Sequence, residues 1–257
     1  KLPETCGVYY FLNKEGRIIY IGKSVNMYQR AQSHFNSDSK KSKTMLNELY
    51  NVDFVETGSE LISLLQESQE IKKHKPLFNR QRKKDVFTHC IRWYENEEGI
   101  LCLQLMPFQE EETYLVAFTN YASARERLES WIEQYTLCLR YCGLTSNDSI
   151  CFHHQIKKCN GICAQQEEIK VYNKRASEIT KKHIYQQANF AIITAGRTVD
   201  ERAMVLILNN KYVGSGYFDE YTQLNTIEDF EEVITKCEYY PDNDDIVRAW
   251  LKTNHPK

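Results

Sequence analysis

"GVYYFLNKEGRIIYIGKSVNMYQR", residues 7–30, decides the fold of the first third of the chain. Residues 7–22 read as two strands rich in Val, Ile, Tyr and Phe, joined by the turn "NKEG" into a β-hairpin. With a two- or four-residue loop, Tyr9 lies opposite Tyr20 and Gly7 opposite Gly22. Directly opposed residues have Cβ atoms about 4.5–5.5 Å apart, so two phenols can flank one group. A loop one residue longer makes the pair diagonal and still within reach. The glycines leave the backbone open to close approach by a ligand. Taken alone, the tyrosines read as a core pair.

A helix over 24–35 follows, with Ser24 at its start and Val25, Tyr28, Gln32 and Phe35 expected to face inward. Lys23, Met27, Arg30 and His34 are spaced as one helical stripe, which puts an ammonium, a guanidinium and an imidazole on a common face. Cations so arranged repel one another unless an anion sits among them, and Arg offers a planar fork suited to phosphate. A second helix is expected over 42–50 and a short strand at "VDFVE". The stretch "TGSELISLLQESQEIKKHK" reads as a helix with Ser59 as N-cap, ended by Pro76. Leu61, Leu64, Leu65, Ser68 and Ile71 form its buried stripe. Glu67 falls at the edge of that stripe, where a carboxylate is either paired or a metal ligand.

The 257 residues are 42% hydrophobic and 26% charged, a globular composition long enough for two or three compact units. No run is long and apolar enough for a membrane helix. The first residue is Lys1 rather than Met, which fits a fragment of a longer protein. The net charge of −2 conceals an asymmetry: residues 1–84 carry 15 Lys and Arg against 9 Asp and Glu. The excess sits in "SDSKKSK" and "EIKKHKPLFNRQRKK", as in a phosphate-binding unit or a solvated lysine surface.

Beyond residue 84, "FTHCIRWYE", "ILCLQLMPF" and "TYLVAF" read as strands, 121–138 as an amphipathic helix and 165–186 as a polar helix. The tail reads as strands "NFAIITAG", "AMVLILNN" and "KYVGSGYFD" followed by two helical stretches. The fold class is α+β, in four segments: 1–84, a small antiparallel sheet flanked by helices; 85–135, a β-rich connecting segment with a helix; 136–188, Cys-rich and helical; and 189–257, a small α+β unit. Five of nine cysteines crowd into "LCLRYCGLTSNDSICFHHQIKKCNGIC", as Cys138, Cys142, Cys151, Cys159 and Cys163. In a chain without a secretory signal they read as thiols or metal ligands rather than a disulfide framework. The spacing follows neither a zinc ribbon nor a standard ferredoxin.

"GVY", "YIGK", Arg30 and "TGSELISLLQESQEIKKHKPLFN" together resemble a GIY-YIG nuclease domain, most closely the UvrC and Cho-type nucleases of excision repair. The resemblance covers residues 1–84 and implies that Tyr9, Tyr20, Lys23, Arg30, Glu67 and Asn79 occupy active-site positions. Glu67 is then the ligand of one Mg²⁺ or Mn²⁺. Tyr20, which adjoins Lys23, is the favoured proton acceptor, Tyr9 orients water or phosphate, Arg30 clamps the scissile phosphate, and Asn79 positions a neighbour or water. Arg30, His34, Lys40, Lys41 and Lys43 are expected to contact DNA. The cysteine segment is similar to the same family's Cys-rich region, "CF-x2-Q-x3-C-x3-C". That likeness implies a metal held by Cys138, Cys151, Cys159 and Cys163, with Cys142 as the alternative to Cys138. A 4Fe–4S cluster is the first expectation and Zn²⁺ the second.

The resemblance implies a metal-dependent endonuclease that nicks one DNA strand, on the 3′ side of damage, in nucleotide excision repair and the SOS response. The implied setting is the bacterial cytoplasm at the nucleoid, with UvrB or a UvrA/UvrB–DNA complex as partner. An amino-terminal fusion to a DNA polymerase III epsilon-like exonuclease is a further expectation. The alternatives are a non-catalytic structure-specific DNA-binding module and a GIY-YIG nuclease for branched or foreign DNA. Residues 1–257 hold no stretch that resembles UvrC's RNase H-like nuclease or helix-hairpin-helix region, so a second incision on the 5′ side is not expected from them.

Overall fold

The computed structural model describes residues 1–79, 86–110, 113–145 and 150–254. The "RQRKK" part of the basic run, at 80–84, lies outside the described residues. The chain divides into two compact units, Lys1–Asp85 with Gln187–Lys257, and Val86–Gln186. The four segments read from the sequence are thereby grouped in pairs, first with last and second with third.

The amino-terminal part of the first unit runs β1 (Gly7–Leu12), β2 (Ile18–Ser24), α1 (Met27–Phe35), α2 (Lys40–Glu48), β3 (Asn51–Glu56) and α3 (Glu60–His74). The strands form an antiparallel sheet in the order β2-β1-β3. Alternation along β1 sends Val8 and Tyr10 to one face, with Ile21 and Ile71 of α3. Tyr9 and Phe11 go to the other face, with Met27 and Ala31 of α1 and Met45 of α2.

The hairpin register differs from the expected one. Tyr9 pairs with Gly22, Phe11 with Tyr20 and Gly7 with Ser24, with a shift between Phe11 and Leu12. The difference is two residues and arises in two steps: the loop, with Gly16 left-handed at φ 74°, leaves Leu12 opposite Ile18 rather than Arg17, and β2 gains one more residue between the Leu12–Ile18 and Phe11–Tyr20 pairs. Such a bulge moves every later pairing by one. Tyr9 and Tyr20 are therefore diagonal neighbours.

The inward face of α1 is also corrected. Met27 and Ala31 are buried, while Val25 and Phe35 are exposed. The helix starts at Met27, capped by the Asn26 side chain accepting from the Gln29 amide, so Val25 lies outside it. Helix α3 starts as expected, with Ser59 accepting from the Ile62 amide, and stops at His74, where Lys75 turns left-handed before Pro76. Its burial exceeds one stripe: Ile62, Ser63 and Lys72 are buried besides Leu61, Leu65, Ser68 and Ile71, whereas Leu64 is half-buried.

The second unit contains β4 (His89–Glu95), β5 (Leu101–Pro107), β6 (Val116–Phe118), α4 (Tyr121–Gln134), the single turn α5 (Phe152–Gln155) and α6 (Ile169–His183). The sheet order is β5-β4-β6. Ile91, Leu103, Leu128, Trp131, Tyr172 and Ile179 form its core, together with Cys138, Cys142, Cys151 and Cys159.

The carboxy-terminal part of the first unit adds β7 (Phe190–Ala195), β8 (Glu201–Leu208), β9 (Lys211–Asp219), α7 (Ile227–Val233), β10 (Ile234–Lys236) and α8 (Pro241–Asn254), with sheet order β10-β9-β8-β7. Strand β10 was not legible in the sequence. The carboxylate of Asp244 is buried at the start of α8, where it accepts from the Tyr212 amide at 2.8 Å and the Tyr239 hydroxyl at 2.6 Å. Among the described residues no helix is long and apolar enough to cross a membrane.

Candidate active site

Three elements of the first unit converge on an open cleft of about 360 Å³ lined by Tyr20, Gly22, Lys23, Arg30, Glu60 and Glu67, among others. Strand β2 brings Tyr20 and Lys23 to it. Helix α1 supplies Arg30, and α3 supplies Glu60 and Glu67, seven residues apart and so on one face. The Lys23 backbone amide donates to Glu67 Oε1 at 3.1 Å, which ties the end of β2 to α3. Lys23 Nζ pairs with Glu60 Oε1 at 2.5 Å.

Tyr9 lies fully buried beneath this surface. Its hydroxyl is 2.9 Å from His34 Nε2, and its ring centroid is 6.1 Å from that of Tyr20. The His34 ring packs edge-on against Tyr20 at 5.0 Å. Lys41 Nζ, from α2, stands 5.7 Å from the Tyr20 ring centroid, within cation–π range.

The electrostatics separate the two phenols. Burial pushes the Tyr9 hydroxyl far above the usual phenol range, and neighbouring Tyr20 adds to the rise. Burial also raises Tyr20; the neighbouring Tyr9 hydroxyl and the Arg30 charge lower it in part, while the Glu67 carboxylate adds to the rise. His34 is lowered to about 4, first by burial and then by Arg30 and Lys41. At neutral pH Tyr9 is therefore a protonated phenol beside a neutral imidazole. Tyr20 is the phenol that faces the cleft.

Hydrolysis of a phosphodiester needs an attacking water, an acceptor for its proton and cations on the phosphate oxygens, and the cleft is lined by a phenol, an ammonium, a guanidinium and two carboxylates. Glu67 faces a polar, open space, and one carboxylate with several waters is a sufficient ligand set for a divalent ion such as Mg²⁺. Glu60 is engaged by Lys23, so the two carboxylates have different surroundings. The residues present fit a hydrated divalent cation.

The remaining candidates are distributed unevenly. Asn79 is buried, its Oδ1 accepting from the Ile21 amide at 2.9 Å and its Nδ2 donating to the Ile21 carbonyl at 2.8 Å. It thus pins β2 between Tyr20 and Gly22. Lys40 and Lys43 are exposed on α2, with Lys43 paired to Asp38. His34 and Lys41, also expected to contact DNA, border the tyrosine cluster, His34 half-buried and Lys41 exposed. Glu60, in the first turn of α3, is not among the sequence-based candidates, and its seven-residue spacing from Glu67 was the available signal for a place in the cleft.

In the second unit, the thiols of Cys138, Cys151 and Cys159 lie within 4.8 Å of one another, all buried. The Cys138–Cys151 sulfur separation is 3.5 Å and that of Cys151–Cys159 is 3.8 Å. Cys163 Sγ accepts from the Cys151 amide at 3.5 Å. Cys142 turns into the core beside Tyr172, where burial raises its thiol. The donor set fits a thiolate-bound metal. Tetrahedral thiolates at about 2.3 Å from one ion lie roughly 3.8 Å apart, close to the Cys138–Cys151 and Cys151–Cys159 separations, whereas Cys163 is not within the cluster of three. A 4Fe–4S cluster, whose cysteines bind different irons, requires the thiols to spread.

Residues 5–80 match the family model of the UvrC-like GIY-YIG domain, and residues 90–182 that of the UvrC/Cho excinuclease middle domain. The chain is 29% identical over 168 residues to excinuclease Cho of Salmonella typhimurium, covering 64% of this chain and 57% of that protein. It is 30% identical over 175 residues to UvrABC system protein C of Borreliella burgdorferi, covering 68% of this chain and 28% of that protein. Among solved structures, it is 33% identical to the magnesium-bound GIY-YIG N-terminal endonuclease domain of UvrC from Thermotoga maritima. That match covers 30% of this chain and 86% of the other, with a TM-score of 0.29. The chain thus spans 57% of the length of the Cho protein it matches.

Proposed function

Since the chain belongs to the UvrC/Cho type of GIY-YIG nucleases, we propose that it is a divalent-metal-dependent endonuclease that hydrolyses one phosphodiester in one DNA strand. Its role in this proposal is the 3′-side incision of damaged DNA in nucleotide excision repair. The observation that carries the reading is the convergence of Tyr20, Lys23, Arg30 and Glu67 on one open cleft.

Arg30 is the exposed guanidinium of the cleft and binds the scissile phosphate through its fork. Tyr20 takes the proton of the attacking water as the phenolate, after its own phenol proton has passed to solvent, a form that Tyr9 and the Arg30 charge favour against burial and Glu67. Neutral His34 holds the Tyr9 hydroxyl and thereby fixes the donor aimed at Tyr20. Lys23 adds positive charge at the end of β2 and, through its amide, orients Glu67. A divalent cation at Glu67, when bound, supplies charge stabilisation to the phosphate oxygens. Asn79 keeps β2 in place, which sets where Tyr20 stands.

DNA is the substrate in this reading, UvrB or a UvrA/UvrB–DNA complex the recruiting partner, and the bacterial cytoplasm the setting. A fusion to an amino-terminal exonuclease and induction in the SOS response belong to the same proposal. The second unit holds a thiolate-bound metal through Cys138, Cys151, Cys159 and Cys163. Resemblance favours a 4Fe–4S cluster and the sulfur spacing favours Zn²⁺. Metal analysis of anaerobically purified protein separates them, since a cluster is brown and absorbs near 400 nm.

A strand-resolved cleavage assay on a duplex with one lesion, with and without Mn²⁺ and UvrA/UvrB, tests the function. One metal-dependent cut 3′ of the lesion is expected. Tight DNA binding without any cut supports the non-catalytic module instead, and preferential cutting of undamaged branched DNA supports a nuclease outside repair.

A further inference from the structure

Helix α3, which carries Glu67, is buried from two sides, by the amino-terminal sheet and by the carboxy-terminal elements of the same unit. We propose that the sheet and helices of residues 187–254 clamp α3 and set the position of the Glu67 carboxylate, so that Lys72 and Asp242 are positioning residues for the divalent cation. The proposal rests on the reading of Glu67 as the metal ligand.

The clamp grips α3 near both ends. At the start, the Tyr217 hydroxyl donates to the Thr57 carbonyl at 3.2 Å. Gly58, directly before the Ser59 cap, approaches Gly196 so closely that a Cβ there would lie 1.9 Å from the Gly196 oxygen. At the far end, the Lys72 side chain is fully buried. Its ammonium donates to Asp242 Oδ1 at 2.5 Å and Ser68 Oγ at 3.0 Å, and stands 4.3 Å from the Tyr240 ring centroid. Asp242 lies in the first turn of α8.

A buried ammonium is strongly unfavourable without its counter-charge, so the Lys72–Asp242 pair tolerates only a narrow range of placements of α3 against α8. Glu67 sits between the two grips, five residues before Lys72 and roughly 7.5 Å from it along the helix. A rigid helix transmits any slip at Lys72 to Glu67. Mg²⁺ demands near-octahedral geometry with oxygens at about 2.0–2.1 Å, so displacements well below an ångström register in affinity. Residues 187–254 lie outside both regions matched by the family models, which end at 80 and 182.

Mn²⁺ binding to the full chain, without DNA, is measured by electron paramagnetic resonance titration, counting only ions lost in Glu67→Ala, and Tm is measured alongside. Asp242→Asn should weaken that binding by about 10–100-fold, the range typical of groups that orient a ligand, and lower Tm. Asp242→Glu should recover most of the affinity. The double variant Lys72→Met/Asp242→Asn removes both buried charges, so Tm should return towards the parent while Mn²⁺ affinity stays weak. Parental Mn²⁺ affinity in Asp242→Asn, whatever its Tm, and in the double variant overturns the proposal, because the pair then serves stability alone. Mn²⁺ binding that survives Glu67→Ala overturns the ligand reading beneath it, a failure visible before any clamp variant is made.

Discussion

Gly22→Ala adds one methyl group where the Tyr9 ring crosses β2. Tyr9 and Gly22 are cross-strand partners, and a Cβ at Gly22 would lie 2.5 Å from the Tyr9 hydroxyl oxygen and 2.6 Å from ring carbon Cζ. Non-bonded carbon contacts are comfortable from about 3.5 Å, so the phenol must retreat by about 1 Å. Tyr9 is fully buried, with Phe11, Tyr20 and His34 around it, and has little room to do so. Overpacking of this kind costs about 1–3 kcal/mol of stability. Gly22 has no left-handed backbone, so Ala introduces a side-chain clash without backbone strain. The larger consequence concerns the cleft, because the displaced hydroxyl leaves His34 and can no longer steady Tyr20. A misplacement of about 1 Å in a catalytic array costs on the order of 10²-fold in rate. Single-turnover nicking of a lesion duplex at saturating Mn²⁺, beside thermal denaturation, measures both effects. A nicking rate and melting temperature equal to the parent's would refute the placement of Tyr9 across Gly22.

Three further outcomes follow from the same geometry. Tyr20→Phe should slow nicking by about 10²–10⁴-fold, as expected when a proton acceptor is removed, and more than Tyr9→Phe; equal losses would return the choice of base to the pair. Cys151→Ser, Cys159→Ser and Cys138→Ser should each lose the bound metal, whereas Cys142→Ser keeps it, and metal analysis showing the reverse for Cys138 and Cys142 overturns the ligand set. His34 titrates near 4 in the fold against 6.5 ordinarily, so the unfolded chain binds the extra proton first as pH falls. Stability from this group is complete above about pH 6.5 and declines as pH falls towards 4. Denaturant melts of the parent and His34→Gln across that window check the sign, the variant showing the shallower pH dependence.

Much of the site was legible locally. The two tyrosines, Lys23, Arg30 and Glu67 lie in short segments whose periodicity, turn and capping residues can be read in place. The start and end of α3 followed from Ser59 and Pro76. The hairpin register was not legible, because the bulge beyond left-handed Gly16 is a backbone choice that "NKEG" alone leaves open. The position of His34 depended on which face of α1 packs against the sheet, and Met27 and Ala31 won that contest over Val25 and Phe35 because the helix begins after Asn26.

By itself the sequence determined the identities and local spacing of the groups, hence the strands, the helices and the kind of chemistry they can perform. Tertiary structure alone decided which groups meet. Lys72 reads in sequence as one lysine in a solvated basic run, yet it is buried against Asp242, 170 residues away. Cys138 and Cys142 are equally plausible by spacing, but the fold turns one towards Cys151 and the other towards Tyr172. Periodicity reports only on contacts within a few residues, whereas burial and charge pairing arise from segments that are distant in the chain and leave no local mark.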